Sequence, residues 1–498
     1  MMIVSCQQMR QTEERAFASG TSAKQLMEAA GRRCAESIRD LFPAPGRARL
    51  YVGRGNNGGD AFVVGQWLRR WGWRVEACCS VDFPLMTQLA AEQRDIFEKT
   101  PNIPAACLNH APDLLIDGLL GIGAKGPLRG EIKTLAAELN ETRKFQDSIV
   151  IALDLPSGLD GDTGEINLGA VIADLTFAIS HVKTGLLSDA AINSVGRLVL
   201  IPVLGIPPAE EGNADAEVVT PHSFKDWLPR RPFDFHKGLA GRVSIVAGSL
   251  GYSGAARLCA AGALHGGAGL VTLWVPQSIY AIVAAGVEPE IMVRPYDNLE
   301  EVRTVPADVL ALGPGWGPQP PPGWKHWVVE DHRPAVIDAD ALNALSRHSD
   351  LLARIGTSGV RVLTPHPGEL RRLAPDLADL PRAEAALAFV ERHRVTLLYK
   401  GARSLIARKC RPLYYNTTGH PGMASGGMGD VLTGVCAALL AQGLFPERAA
   451  ALGSWLLGRA AESLIMGPRG TESAESLSAG QVAGRLGQAF QDWRRGLL

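Results

Sequence analysis

The sequence predicts an α/β fold in two modules, each a mainly parallel sheet with helices packed on it. Three observations predict it. Short apolar runs alternate with helical patterns through both halves of the 498 residues, as βαβ units around a parallel sheet require. Glycine and alanine are abundant, with 55 glycines, which suits many tight strand-to-helix turns. The alternation is broken once, by the acidic, Pro-bearing, aperiodic run from Ile206 to Glu217, which sets a boundary near Pro207–Pro221. The modules are therefore expected over residues 1–213 and 220–494.

Each element has its own reason. Ser22 and Gln25 have capping-box spacing, and Leu26, Ala29, Ala30, Cys34 and Ile38 form one apolar stripe, so a helix starts at Ser22. Arg49–Gly53 reads as a buried strand running into a glycine turn, Gly55-Asn-Asn-Gly-Gly-Asp60, with a helix from Ala61 to Trp71. Val75–Cys79, Leu114–Asp117 and Ser148–Asp154 read as further strands. In the second half Arg242–Gly248 is a strand, followed by a Gly-rich turn and an Ala-rich helix, Ala255–Gly266. Leu270–Val275, Asp308–Leu312, Ala335–Asp338 and Thr396–Tyr399 continue the alternation. The halves share no sequence repeat, so they are two different modules.

Composition narrows the function. Hydrophobic content of 46% with 20% charged residues reads as a soluble globular chain, and a net charge of -1 gives no basic surface for nucleic acid or anionic membrane. No window reaches the apolar length of a membrane span, and Met1–Arg15 lacks the apolar core of a signal peptide. The eight cysteines contain no C-x-x-C pair and fall mostly in apolar runs, as reduced core residues of a cytosolic protein do. A cytoplasmic protein with small-molecule ligands, and with no nucleic-acid or membrane partner, is expected.

The richest chemistry lies in Gly422-Met-Ala-Ser-Gly-Gly-Met-Gly-Asp430-Val-Leu-Thr-Gly434. Glycines let backbone N–H groups close on a ligand. The start of a helix adds unpaired donors and a partial positive charge, which suits a phosphate. A carboxylate in that place, Asp430, is suited above all to taking a proton from a substrate hydroxyl. The plain alternative is a glycine turn capped by Asp.

In the first half, three strand candidates end in polar loops: Gly55–Asp60, Asp117–Pro127 and Asp154–Gly158. Ligands of open parallel sheets bind beyond the carboxyl ends of strands, so these loops should converge. Oxygens of Asn57, Asp117 and Ser157, with backbone carbonyls, would suit a hard cation. The alternative for each carboxylate is a helix cap or turn former.

These residues resemble a known family. Asn56-Asn-Gly-Gly-Asp60, Asp117 with Gly121–Pro127, and Asp154-Leu-Pro-Ser157-Gly-Leu-Asp160-Gly are similar to NAD(P)H-hydrate epimerase over most of residues 8–205. The resemblance implies a Rossmann-like fold and a potassium ion held by Asn57, Asp117 and Ser157. It implies substrate contacts at Asn56, Asn57, Gly58, Gly59, Asp60, Gly121, Ile122, Gly123, Ala124, Lys125, Gly126, Pro127 and Asp154. Ala61 stands where glycine is common in the family. Lys183, in His181-Val-Lys-Thr-Gly185, matches a family segment but has no assigned role. Epimerisation opens and closes one carbon with proton transfer, and Asp154 is the expected acid or base.

The second half resembles the ADP-dependent NAD(P)H-hydrate dehydratase, a ribokinase-like family, over about residues 225–490. The match is carried in order by His236–Arg242, Gly248–Arg257, Gly313-Pro-Gly315-Trp-Gly317, Val336–Asn343, Leu363–Glu369, Lys400–Ser404 and the Asp430 site. It implies nucleotide contacts at Lys400, Gly401, Ala402, Arg403, Ser404 and Gly429, and substrate contacts at Gly254, Gly315, His366 and Asp430. It implies phosphorylation of the hydrate's hydroxyl, with Asp430 as base and Gly426–Gly429 amides on the transferred group. Loss of phosphate then restores the dihydronicotinamide. Lys400 would balance phosphate charge and Glu369 would hold a magnesium-bound water. His366 between two prolines also reads as a rigid turn, and Asp338 and Asp340 read as caps of a helix beginning at Ala341. The tryptophans read as packing.

Together the resemblances imply a bifunctional repair enzyme. Its substrates would be NADHX and NADPHX, with ADP and Mg2+, releasing AMP and phosphate. Its state would be homo-oligomeric. ADP over ATP rests on resemblance to bacterial-type members alone. The rival reading is a ribokinase-like small-molecule kinase with a non-catalytic N-terminal binding module.

Overall fold

The computed structural model describes residues 2–103, 113–146, 148–207, 213–228, 230–466 and 470–497. The chain divides into two compact units, with the division between Val218 and Val219.

In the N-terminal unit, six strands pair parallel throughout. Their order is Arg74–Cys79, Arg47–Val52, Leu114–Gly118, Ile149–Leu153, Leu175–Ile179 and Arg197–Ile201. Arg47–Val52 thus lies between the strands that follow it in sequence. The chain reverses direction there, and a doubly wound sheet opens its ligand crevice at such a reversal, outside the carboxyl ends. The order is the flavodoxin-like variety of the Rossmann-like sheet expected from the motifs. Alternate side chains serve opposite faces. Tyr51, Leu115 and Val150 pack with Leu135, Ala136 and Leu139 of the helix Gly130–Gln146. Leu50 faces the helix Asn56–Arg70, where Gly65 leaves room for it. Ser22 caps the helix Ala23–Leu41 as its spacing predicts, accepting from Gln25 N at 3.2 Å while Gln25 Oε1 accepts from Ser22 N at 2.8 Å.

Two local expectations need correction. The helix expected at Ala61–Trp71 runs from Asn56 to Arg70, so the Asn-Asn-Gly-Gly-Asp segment is its first turn, not a loop before it. Its glycines are there for packing. A Cβ on Gly58 would lie 2.1 Å from Gly53 O, and one on Gly59 2.6 Å from the Met27 side chain. Gly58→Ala should therefore push the helix off its strand and cost the N-terminal unit more than about 3 kcal/mol, as overpacking at the high end does. Urea unfolding of that variant checks it. The second correction concerns the acidic run. Residues 208–212 lie outside the described residues, but Asn213–Val218 is a strand rather than linker. It pairs antiparallel with Met2–Val4, which pairs parallel with Val182–Lys183. Those partners are far apart in sequence, which local periodicity does not register.

In the C-terminal unit the strands run in the order Ile291–Tyr296, Leu270–Pro276, Arg242–Val246, Val309–Leu312, Ala335–Ile337, Arg361–Leu363 and Thr396–Tyr399, all parallel. Leu405–Arg408 and Leu413–Tyr415 extend it antiparallel. The helices Ser253–His265 and Met428–Ala441 cross on this sheet at unusually short range. A Cβ on Gly262 would lie 2.2 Å from Val431 O, and one on Gly434 2.0 Å from Cys259 O. Gly434, the last residue of the glycine-rich motif, is thus a helix-packing residue. Trp327, Trp455 and Trp493 are fully buried packing residues. Seven cysteines are free thiols, and Cys107 lies outside the described residues. Among the described residues, no helix is long and apolar enough to cross a membrane.

Candidate active sites

A cleft of about 800 Å³ opens in the N-terminal unit at the carboxyl ends of the central strands. Asp154 follows directly on the strand Ile149–Leu153 with φ +65, a left-handed conformation uncommon for a non-glycine residue. Three contacts hold it. Its N–H donates to Phe177 O at 2.9 Å, its Oδ1 accepts from Ile179 N at 3.3 Å, and Lys183 Nζ pairs with Oδ1. The Lys183 side chain is 1% exposed and that of Asp154 14%, so this is a buried ion pair. Lys183 also donates to Ile179 O at 3.0 Å. It is placed by the pairing of Val182–Lys183 with Ile3–Val4. The lysine without a role in the sequence is therefore the counter-charge of the expected acid or base.

Asn56, Asn57, Asp60, Gly121, Ile122, Gly123, Ala124 and Asp154 all line the cleft. Gly58 and Gly59 do not; they are buried under the helix. Lys125, Gly126 and Pro127 are exposed beyond the lining. Ala61 is fully buried, and its methyl sits 2.6 Å from where a Cβ on Gly118 would stand. The alanine fills space against the neighbouring strand, away from the cleft lining. Glu13 lines the cleft from the helix Cys6–Ala18, and sequence reasoning missed it. The signal was one acidic position beside the buried stripe Met9, Thr12 and Ala16. Burial, then the charge of Asp154, pushes the Glu13 carboxyl up, and burial pushes Asp60 well above the usual carboxylate range, with Asp154 and Glu13 adding to it.

Of the three candidate cation ligands, Asn57 lines the cleft and Asp117 and Ser157 lie behind it. Asp117 is fully buried and accepts from Ser157 N at 2.7 Å, Ser157 Oγ at 2.7 Å and Leu119 N at 3.1 Å. Ser157 Oγ in turn accepts from Leu120 N at 2.9 Å. Asn57 joins through Leu120, donating to its carbonyl at 2.8 Å and to Leu153 O at 3.2 Å. No cationic side chain pairs with Asp117 among the described residues. Burial pushes its carboxyl up to about 6 despite those three donors. This proton binding stabilises the unit at low pH, and the contribution is lost as pH rises through about 6.

In the C-terminal unit, Asp430 lies in the first turn of Met428–Ala441, after Gly427 at φ +93. Its carboxylate has no hydrogen-bond or ion-pair partner among the described residues. Burial, then the charge of Asp338, pushes its carboxyl up to about 7. Beside it Lys400 Nζ pairs with Asp338 Oδ1 at 2.7 Å, and Thr433 Oγ1 donates to Asp338 Oδ2 at 2.8 Å. Asp338 thus faces Lys400 instead of capping a helix with its side chain; the helix runs Ala339–Leu345. Asp340 binds the neighbouring loop, accepting from Gly317 N at 2.8 Å. Gly429 sits where a Cβ would be 3.2 Å from Lys400 Nζ, so its smallness keeps the lysine close to the helix start.

Glu369 faces Lys400 at 3.9 Å and accepts from His366 N at 2.9 Å, closing a capping box at the helix Pro367–Leu373. His366 is half exposed beside it. Gly315 has φ +66, and its absent Cβ lets the loop meet Tyr252 O and Ala255 near Gly254. Arg382, unnoticed in the sequence, donates to Tyr399 O and Lys400 O at 3.4 Å and to Arg403 O at 3.1 Å. It cradles the loop Lys400–Ser404, in which Gly401 and Ala402 are exposed and Arg403 is buried. The signal was absent locally, because Arg382 comes from the helix Arg382–Arg392.

An α/β unit with a carboxylate unpartnered among the described residues at a glycine-rich helix start, next to a half-buried lysine, is the architecture of an enzyme acting on phosphate compounds. Residues 243–479 match the NAD(P)H-hydrate dehydratase family, and residues 23–185 match the family of the YjeF-related protein N-terminus. The chain is 37% identical over 470 residues to a bifunctional NAD(P)H-hydrate repair enzyme of Moorella thermoacetica, covering 88% of this chain and 87% of that one. It is 34% identical over 483 residues to the Escherichia coli enzyme of that name, covering 94% and 91%. The structure of ADP/ATP-dependent NAD(P)H-hydrate dehydratase from Bacillus subtilis, co-crystallized with ATP and Mg2+, is 26% identical with a TM-score of 0.47, covering 56% of this chain and 99% of that one. The chain belongs to the family of bifunctional NAD(P)H-hydrate repair enzymes.

Proposed function

We propose that residues 1–213 interconvert the R and S hydrates of NADH and NADPH, and that residues 220–494 dehydrate the S hydrate at the expense of ADP. The observation that carries the reading is Asp430, a carboxylate without a hydrogen-bond or ion-pair partner among the described residues, at a glycine-rich helix start beside Lys400 held by Asp338. Asp430 takes the proton of the hydrate's hydroxyl as that oxygen attacks the terminal phosphoryl group. Amides of Gly426–Gly429 hold the charge developing on the phosphoryl oxygens. Phosphate then leaves with the C–O electron pair, the neighbouring ring carbon gives up a proton to solvent so that the C=C bond of the reduced nicotinamide is restored, and AMP departs. Lys400–Ser404 and Gly429 hold the nucleotide, while Gly254, Gly315 and His366 contact the hydrate. In the other unit, Asp154 moves the proton, and the cleft-lining residues Asn56, Asn57, Asp60 and Gly121 to Ala124 face the substrate.

The two cations differ in how the residues fit them. Asp117, fully buried with oxygen neighbours and no cationic partner among the described residues, suits a potassium ion held with Ser157 and Asn57. Such an ion supplies the missing counter-charge. Adding KCl in place of a bulky-cation salt should raise the melting temperature of the N-terminal unit, and Asp117→Asn should remove that rise. Magnesium fits as a companion of the nucleotide's phosphates. Asp338 is committed to Lys400 and Thr433, and Glu369 to His366 N, so no three-ligand cage stands ready among the described residues.

Product analysis tests the reading. Incubation with the S hydrate, ADP and Mg2+ should give one AMP and one phosphate per reduced nicotinamide. A stable phosphorylated product would instead make the chain a small-molecule kinase.

A further inference from the structure

Four carboxyl groups (Glu13, Asp60, Glu131 and Asp154) and three cationic side chains (Arg10, Arg54 and Lys183) line the N-terminal cleft, and Arg10 and Arg54 are exposed. Glu13, Asp60 and Asp154 line it from three different elements, and Lys183 is the one buried cation facing them among the described residues. Lys183 is committed to Asp154 and Ile179 O. Arg10, one turn from Glu13, gives its guanidinium to Ile122 O at 3.0 Å. The thiol of Cys34, near Asp60, is fully buried and held far above its usual range by that burial, so it adds no charge. Asp60 and Glu13 have no hydrogen-bond or ion-pair partner among the described residues. Asp154 is therefore the carboxylate held in an ion pair, and Asp60 is the unpartnered carboxyl group of the same cleft, its protonated form favoured by burial and by the charges of Asp154 and Glu13.

We infer that Asp60 is the proton donor of the epimerisation and Asp154 its acceptor, and that the bond broken is the C–O bond of the hydrate rather than the C–N bond of its ring. The inference rests on the epimerase reading above. In the first half-reaction the C–O electron pair leaves with the hydroxyl oxygen, which takes the proton of Asp60 and departs as water. The nitrogen lone pair closes to the carbon, giving a dihydropyridinium cation. In the second half, water adds to the other face, the C=N pair returns to nitrogen, and Asp154 takes the water's proton. The proton then returns from Asp154 to Asp60 through solvent, so no oxidant or co-reactant is consumed. The placement of Asp60 favours this route: once it has given up its proton, its unpartnered carboxylate stabilises a cationic intermediate in the cleft, whereas ring opening to an uncharged aldehyde gains nothing from it. An unpartnered buried carboxyl group facing a carboxylate held in an ion pair is the pattern of paired carboxylate catalysis. Glu13 acts through Asp60, as a positioning residue whose charge keeps the proton there.

The test uses the full-length enzyme with the R hydrate of NADH in ¹⁸O-labelled water, after subtraction of spontaneous epimerisation. Labelled hydroxyl should appear in the S product as fast as that product forms. Asp60→Asn should lower the epimerisation rate about 100-fold or more, while dehydration of supplied S hydrate stays at the wild-type rate. Asp60→Glu, which restores a carboxyl group, should recover part of the rate and guards against a folding defect in the amide variant. Glu13→Gln should move the high-pH fall of the rate to lower pH, because Asp60 then gives up its proton more readily. Product that retains its original oxygen, or an Asp60→Asn rate within about threefold of wild type, overturns the inference while leaving the epimerase standing. A wild-type enzyme with no epimerisation above the spontaneous rate overturns both.

Discussion

Asp430→Asn is expected to lower nucleotide-dependent dehydration by about 1,000-fold, within the usual range for removal of a general base. Binding of nucleotide should change little, since the amide keeps the shape. The pH dependence follows from the environment of the carboxylate. Burial and Asp338 push Asp430 up to about 7, and a base works only when ionised. In the free enzyme kcat/KM should therefore be level above about pH 7 and fall tenfold per pH unit below it. Asp338→Asn removes the second of those causes and frees Lys400 to turn toward Asp430, so the acid limb should move to lower pH. An unmoved limb in Asp338→Asn, or a wild-type limb near pH 4, would mean that another group is the base.

The second large effect is expected at Lys183→Met. The substitution leaves Asp154 in its left-handed turn with no counter-charge, and breaking a buried pair from one side costs about 3–5 kcal/mol. Epimerisation should be lost with it, while dehydration of the S hydrate persists. Asp154→Asn should be as damaging, because it strands an ammonium group whose side chain is 1% exposed. The double variant should regain stability relative to either single one, since no unpaired buried charge remains, but it should not regain epimerisation. Chemical unfolding of the four proteins measures the coupling. Strictly additive losses would remove the ion pair from the account.

The parts legible in the sequence were those that local pattern encodes. The Ser22–Gln25 capping box and the alternating strand–helix periodicity of both halves need only neighbours a few residues apart. The ordered loops after the strands placed Asn57, Asp117, Ser157 and Asp154 near one crevice, because a parallel sheet gathers its carboxyl ends. What was misread involved partners distant in chain. Asn213–Val218 looks like linker until Met2–Val4 pairs with it. Asp338 looks like a helix cap because its neighbours allow one, yet Lys400 and Thr433 claim it from other elements. The glycines of Asn56–Asp60 look like ligand-binding loop residues, but Gly58 is needed where the helix meets the carbonyl of Gly53. Glu13 and Lys183 gave signals without a role, and Arg382 gave none, because each acts on a site built by other segments.

The most direct test of two activities in one chain is recovery of reduced-nicotinamide absorbance from an equal mixture of R and S hydrates, with ADP, Mg2+ and K+. Spontaneous epimerisation is measured separately and subtracted. Two working sites predict recovery from both epimers, and recovery of only the S fraction with Asp154→Ala. Wild-type recovery that stops at the S fraction would contradict the epimerase assignment, and no recovery with either ADP or ATP would contradict the repair function altogether.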